Sequence, residues 1–256
     1  MDFTHTSNTN KRSGKTLVVI PAYREAGRLP SFLKQLAAEL ESDQYAILVV
    51  DDGSPLGEQQ KTAEIVESLR QRRKCVLSPL LLSQNQGKGA AIRAGWNTAK
   101  GDYDWLAFID ADGAISAKVA REFFEDAFHG GADRAYFGSR VKMLGKEVQR
   151  SSLRHASGRM FAHMVGLWIS PDVYDSQCGV KILPRAVYER IKGFLSEDGF
   201  SFDIELLAAL LHTHTCIQEI PIDWKDIGGS KVSLFKDTLR MLAALKRISH
   251  RRSQWT

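Results

Sequence analysis

The chain has 256 residues, 43% of them hydrophobic and 25% charged, enough for one large domain with a full core. The formal charge of +5 favours anionic partners, yet the excess gathers in Arg247, His250, Arg251 and Arg252 rather than over a face of nucleic-acid size. None of the common nucleic-acid-binding signatures is present, and no apolar run approaches the roughly 18 residues that span a bilayer.

Residues 1–15 are polar and carry no apolar h-region, so they read as a flexible lead without an export signal. Short apolar runs without alternation follow at Thr16–Ile20, Ala46–Val50, Val76–Leu82 and Trp105–Ile109, and predict strands covered on both faces. Between them, Leu29, Phe32, Leu33, Leu36 and Leu40, then Ala63, Ile65, Val66 and Leu69, have helical spacing. This alternation predicts an α/β domain with a mostly parallel sheet flanked by helices, whose ligands sit beyond the carboxyl ends of the strands. Cys75, Cys178 and Cys216 are odd in number and lack metal-ligand spacing, which fits a reducing, cytoplasmic setting.

Each run is followed by polar residues. After the first comes Pro21-Ala22-Tyr23-Arg24-Glu25, and after the second Asp51-Asp52-Gly53-Ser54. The aspartates of the latter could also form a capped turn. After the third comes Gly87-Lys88-Gly89, which is not a phosphate loop, because Leu82 and Gly89 stand where a glycine and a Ser or Thr are required. It could contact phosphate or base, or make a tight turn for close helix packing. The fourth run delivers Asp110-Ala111-Asp112. Two carboxylates so placed suit Mg²⁺ or Mn²⁺, since a hard cation takes one or two carboxylates and fills its other positions with water and phosphate oxygens.

This ordered series resembles the family 2 glycosyltransferases of the GT-A fold. Gly138-Ser139-Arg140, Asp175-Ser176-Gln177-Cys178-Gly179-Val180-Lys181, Gly199-Phe200-Ser201-Phe202-Asp203 and Gly229-Ser230-Lys231 are similar to its polyprenyl-phosphate branch, which includes dolichyl-phosphate mannose synthases and dolichyl-phosphate β-glucosyltransferases. The resemblance implies a single GT-A domain over 16–232. It also implies a donor pocket of Pro21, Tyr23, Glu25, Asp52, Lys88, Asp110, Ala111 and Asp112, with Asp52 accepting from a ring N–H of the base. Asp112, supported by Asp110, would hold the metal. Arg140, Arg154, Lys225 and Lys231 would serve the acceptor phosphate and the diphosphate, with Asp110, Asp112 and Arg140 central to catalysis. Ala114 stands where the mannosyl branch carries a metal-binding glutamine, which favours UDP-glucose over GDP-mannose. A nucleotide-sugar donor and a polyprenyl-phosphate acceptor are thus expected, with inversion at the anomeric carbon.

A phosphate acceptor is already ionised and needs no base; a hydroxyl acceptor would need one, and Asp203 or Glu205 is then the first candidate. Residues 233–256 read as a basic amphipathic helix and tail. Leu234, Phe235, Leu239, Leu242, Leu245 and Ile248 lie on its apolar side, Lys236, Arg240, Arg247 and Arg251 opposite, and Trp255 follows. It could lie on an anionic membrane, placing the enzyme peripherally on the cytoplasmic face, or pack on the core. A partner membrane protein is left open. Two alternatives stand beside the lipid-directed reading: a soluble family 2 enzyme acting on a glycan or small-molecule hydroxyl, and a non-catalytic basic binding protein.

Overall fold

The structure, a computed structural model, describes residues 14–99, 101–141, 143–149, 169, 173–227 and 234–255, with side chains omitted for 149 and 234–241. Its strands are β1 (Thr16–Ala22), β2 (Tyr45–Asp51), β3 (Leu80–Leu81), β4 (Trp105–Ile109), β5 (Arg134–Ser139), β6 (Val148–Gln149), β7 (Val180–Pro184), β8 (Cys216–Pro221) and β9 (Trp224–Lys225). The helices are α1 (Leu29–Glu39), α2 (Leu56–Arg70), α3 (Lys88–Asn97), α4 (Ala117–Gly130), α5 (Arg185–Ile191), α6 (Phe202–His212) and α7 (Leu234–Arg252).

Seven strands form one sheet in the order β3-β2-β1-β4-β7-β5-β8, and β6 pairs with β9 beside it. Strand β7 runs antiparallel to both β4 and β5, while every other pairing in the large sheet is parallel. The carboxyl ends of β1, β2, β4, β5 and β8 therefore share one edge with the start of β7.

Apolar side chains of each central strand feed two cores. Val18 and Ile20 join Leu29, Leu33, Phe123 and Phe124 on one face, and Leu17 and Val19 join Trp96, Phe202 and Leu206 on the other. Double coverage explains why these strands lack polar alternation. Three of the four apolar runs form full strands. Val76–Leu82 instead gives an isolated bridge from Val76 to Ile47 and the two-residue β3, because Pro79 has no N–H to donate to a ladder.

The described side chains of α7 pack on the protein. Ala244, Leu245 and Ile248 are buried, and Trp255 packs against Phe194 and His212 at 4.9 and 5.3 Å between centroids. On the polar side, Arg247 and Arg251 reach Glu197 at 2.8 and 2.7 Å, and Arg251 also reaches Glu205 at 2.6 Å. This half of the helix is docked on the protein, and two of its arginines face buried carboxylates.

Candidate active site

The end of β4 presents the Asp110-Ala111-Asp112 turn. Asp110 is fixed through its N–H, which donates to the Gly179 carbonyl at 2.9 Å, and its carboxylate passes so close to Gly179 that any side chain there would collide with it. Lys88 Nζ lies 2.8 Å from Asp110 Oδ1 and 3.3 Å from Asp203 Oδ2. Asp112 Oδ1 accepts the Ala114 N–H at 2.9 Å. Burial, and then the charge of Asp110, push the Asp112 carboxyl above its ordinary range despite that bond and the positive charges of Arg28 and Lys88.

Among the described residues no ion pair neutralises Asp112. Two oxygen-donor groups, one carrying uncompensated charge, fit a hard divalent cation that completes its shell with water and phosphate. Asp112 and Asp110 would hold it. The described residues contain no cluster of three or more potential ligands, so such a cation would depend on the substrate for further oxygens.

The Gly87-Lys88-Gly89 turn resolves into separate roles. Gly87, at φ +117°, and Gly89 approach the carbonyls of Asp198 and Glu197 too closely for any side chain, so the glycines serve packing. Lys88 contributes charge. Burial lowers its ammonium pKa, but Asp110 and Asp203 outweigh that and raise it overall.

Asp52 organises this turn: it accepts the Gln86 and Gly87 N–H groups at 2.9 and 2.8 Å and the Asn85 amide at 2.8 Å. A contact with a base has to be made alongside these bonds. Burial raises the Asp52 carboxyl, with smaller contributions from Asp51 and Asp198, and the two backbone donors only partly offset this. Asp51 makes the capped turn instead, accepting the Ser54 N–H at 2.8 Å and the Gln59 amide at 3.3 Å.

Pro21, Tyr23 and Glu25 follow at the end of β1. Arg24 adopts φ 54° and donates its N–H to Ser54 Oγ at 2.9 Å, tying the first strand end to the second. Glu25 holds Arg28 in a two-point contact at 2.6 and 2.7 Å. Arg28 was not singled out in the sequence, although its spacing from Glu25 is that of a helical ion pair.

At the end of β5, Arg140 meets a partner that the sequence did not assign. Its Nε and Nη2 donate to the two oxygens of Asp175, each at 2.7 Å, and its backbone N–H adds a third bond at 2.9 Å. Asp175 is itself fixed, since Glu219 accepts its N–H and that of Tyr174, both at 2.7 Å. The guanidinium also lies over the Trp224 ring, 5.6 Å from its centroid. The half-buried guanidinium keeps 21% exposure, and the fork expected for phosphate is engaged by Asp175. Lys225 is exposed, and its N–H donates to the Ala114 carbonyl at 3.0 Å, which places β9 beside the aspartate turn. Arg154 and Lys231 lie outside the described residues.

Neither candidate base is placed to act as one. Asp203 is 2% exposed and sits between Lys181, at 2.5 Å, and Lys88. Burial would raise its carboxyl pKa, but the two ammonium groups overcome this and hold it below the usual range. Glu205 is fully buried and accepts the N–H groups of Ser196 and Glu197 at 2.7 and 2.6 Å, the Ser196 hydroxyl at 3.0 Å and Arg251. Both carboxylates are committed to buried ion pairs and hydrogen bonds.

Residues 17–191 match the glycosyl transferase family 2. The dolichyl-phosphate beta-glucosyltransferase of Saccharomyces cerevisiae is 31% identical over 238 residues, covering 88% of this chain and 71% of that protein. Its namesake from Dictyostelium discoideum is 32% identical over 247 residues, covering 91% and 73%. Among solved structures, glucosyl-3-phosphoglycerate synthase from Mycobacterium tuberculosis in complex with UDP has a TM-score of 0.67 at 13% identity, covering 93% of this chain and 80% of that one. The same enzyme with Mn²⁺, UDP and phosphoglyceric acid has a TM-score of 0.67 at 13% identity, covering 92% and 78%. At such low identity these structures speak for the fold. The chain belongs to glycosyl transferase family 2 and has the GT-A fold.

Proposed function

We propose that this enzyme transfers glucose from UDP-glucose to a polyprenyl or dolichyl-type phosphate, with inversion and with Mg²⁺ or Mn²⁺ bound at Asp112 and Asp110. The observation that carries the reading is the Asp110-Ala111-Asp112 turn at the sheet edge, faced by Lys88, in a chain about 30% identical to enzymes named dolichyl-phosphate beta-glucosyltransferases. The cation, when bound, supplies positive charge against the diphosphate leaving group. Lys88, kept charged by Asp110 and Asp203, adds a second cation on the same side. Pro21, Tyr23, Glu25, Asp52 and Ala111 line the nucleotide side. Arg140, aligned by Asp175, and Arg154, assigned by family resemblance, serve the acceptor phosphate, and Lys225 and Lys231 close over the diphosphate.

An ionised phosphate attacks without a protein base, and the commitment of Asp203 and Glu205 to buried contacts supports an acceptor of that kind. Residues 16–232 form the catalytic unit in this reading, with 233–256 as its basic C-terminal helix and tail. Membrane contact would be peripheral and on the cytoplasmic face; among the described residues no helix is long and apolar enough to cross a bilayer.

Purified protein incubated with radiolabelled UDP-glucose, Mn²⁺ and polyprenyl phosphate should give a chloroform-soluble product, and UDP-glucose should outcompete GDP-mannose. Transfer to a soluble hydroxyl acceptor, with no lipid product from any common nucleotide sugar, would overturn the proposal.

A further inference from the structure

The Asp110 carboxylate is the outer end of a ladder of alternating charge that runs into the core. Lys88 Nζ is 2.8 Å from Asp110 and 3.3 Å from Asp203, and Asp203 is 2.5 Å from Lys181. The inner pair is out of solvent, Lys181 at 0% and Asp203 at 2% exposure. Lys181 also donates to the Cys178 carbonyl at 2.9 Å, and its ammonium lies 5.2 and 4.8 Å from the ring centroids of Phe108 and Phe137. It is too deep to touch a substrate. An ion pair buried at such depth is a poor way to gain stability compared with apolar packing, and Leu183, two residues on and on the same face of the strand, shows that this side of β7 accepts apolar side chains.

The distances along the ladder are unequal. Asp203 is close to the inner lysine and farther from the outer one, while Lys88 is closer to Asp110 than to Asp203. We propose that Lys181 is a positioning residue for the donor site: by neutralising one side of Asp203, it leaves Lys88 to serve Asp110 and the diphosphate beyond it. This rests on the reading of Asp110 and Asp112 as the cation and diphosphate site. Without Lys181, Asp203 keeps a single counter-charge in a medium of low dielectric and draws Lys88 inward, off Asp110. Without the Asp203 charge, Asp110 becomes the remaining anion of the ladder for Lys88, and the ammonium competes with a divalent cation there.

The two changes therefore have opposite signs, which a loss of folding stability would not produce. Calorimetric titration of Mn²⁺ into protein saturated with UDP should show Lys181→Met binding Mn²⁺ tighter, and Asp203→Asn weaker, each by about fivefold or more. UDP in the absence of metal should bind more weakly to Lys181→Met than to wild type. If Asp203→Asn leaves Lys181 unpaired and fails to fold, the double variant Lys181→Met/Asp203→Asn removes both buried charges and should show the same weakening. Shifts of one sign in both variants, or none, would overturn the inference. A crystal structure of Lys181→Met without ligand reads the geometry directly: Lys88 Nζ should lie nearer Asp203 than Asp110, and an unmoved Lys88 refutes the role. If wild type binds neither Mn²⁺ nor UDP, the donor-site reading falls, while this structural outcome still decides the ladder.

Discussion

Asp112 carries a cost in the protein alone that a cation would remove. Its carboxyl is pushed up by burial and by Asp110, so at neutral pH its ionised form opposes folding, and that penalty disappears as pH falls through the raised pKa. Asp112→Asn keeps the acceptor for the Ala114 N–H and removes the charge. Its melting temperature without metal should rise, while Mn²⁺ binding and turnover are nearly abolished. Scanning calorimetry and a transfer assay check both halves, and a variant that is destabilised without metal contradicts the account. Arg140 sits in the opposite situation, since its charge is satisfied by both oxygens of Asp175. Arg140→Lys keeps the charge but not the fork, so acceptor KM should rise by about tenfold while donor KM holds. A matching rise in donor KM would place Arg140 elsewhere.

At the scale of elements, the segment between α5 and α6 ties the C-terminal helix to the turn that carries Lys88. The Glu197 side chain receives Arg247 and Arg251, its carbonyl accepts Arg93 at 2.5 Å, and the next carbonyl, of Asp198, accepts the Ala90 N–H at 3.1 Å. Burial raises the Glu197 carboxyl, but the two arginines and Ser201 outweigh it and leave the pKa depressed. A depressed carboxylate stabilises the fold above its unfolded pKa, and that stabilisation is lost as pH falls through the folded value. Glu197→Gln should therefore lower the melting temperature at neutral pH and flatten its decline below about pH 4.5. Parallel acid limbs in wild type and variant would show that the contact contributes nothing. The sequence revealed the helix and its apolar side, because Leu242, Leu245 and Ile248 recur at helical spacing. It could not reveal Glu197 as the partner of Arg247, because a pair fifty positions apart leaves no local pattern. Asp175 was hidden in the same way from Arg140. Lys181 did leave a signal: a lysine inside the apolar run Val180–Leu183 implies a buried counter-charge, although not which one.

For the whole molecule, parallel strands and double coverage follow from the apolar runs, and with them the gathering of strand ends at one edge. The insertion of antiparallel β7 between β4 and β5 does not follow, since pairing order depends on long-range contacts. It matters for the site, because it sets Gly179 against Asp110 and Asp175 against Arg140. The same long-range packing redistributes the basic charge. Arg247 and Arg251 have internal partners in Glu197 and Glu205, although their side chains keep 54% and 32% exposure. The double variant Arg247→Gln/Arg251→Gln separates the two uses of that charge. It leaves the fully buried Glu205 without its cation, so stability should fall by about 3 kcal/mol, seen as a drop of roughly 6–12 °C in melting temperature. Co-sedimentation with anionic vesicles, measured at a temperature where the variant is folded, should change less than twofold, since a surface arginine near anionic lipid otherwise contributes about 1 kcal/mol. A variant that keeps its melting temperature but leaves the vesicles at moderate salt would return both arginines to the membrane.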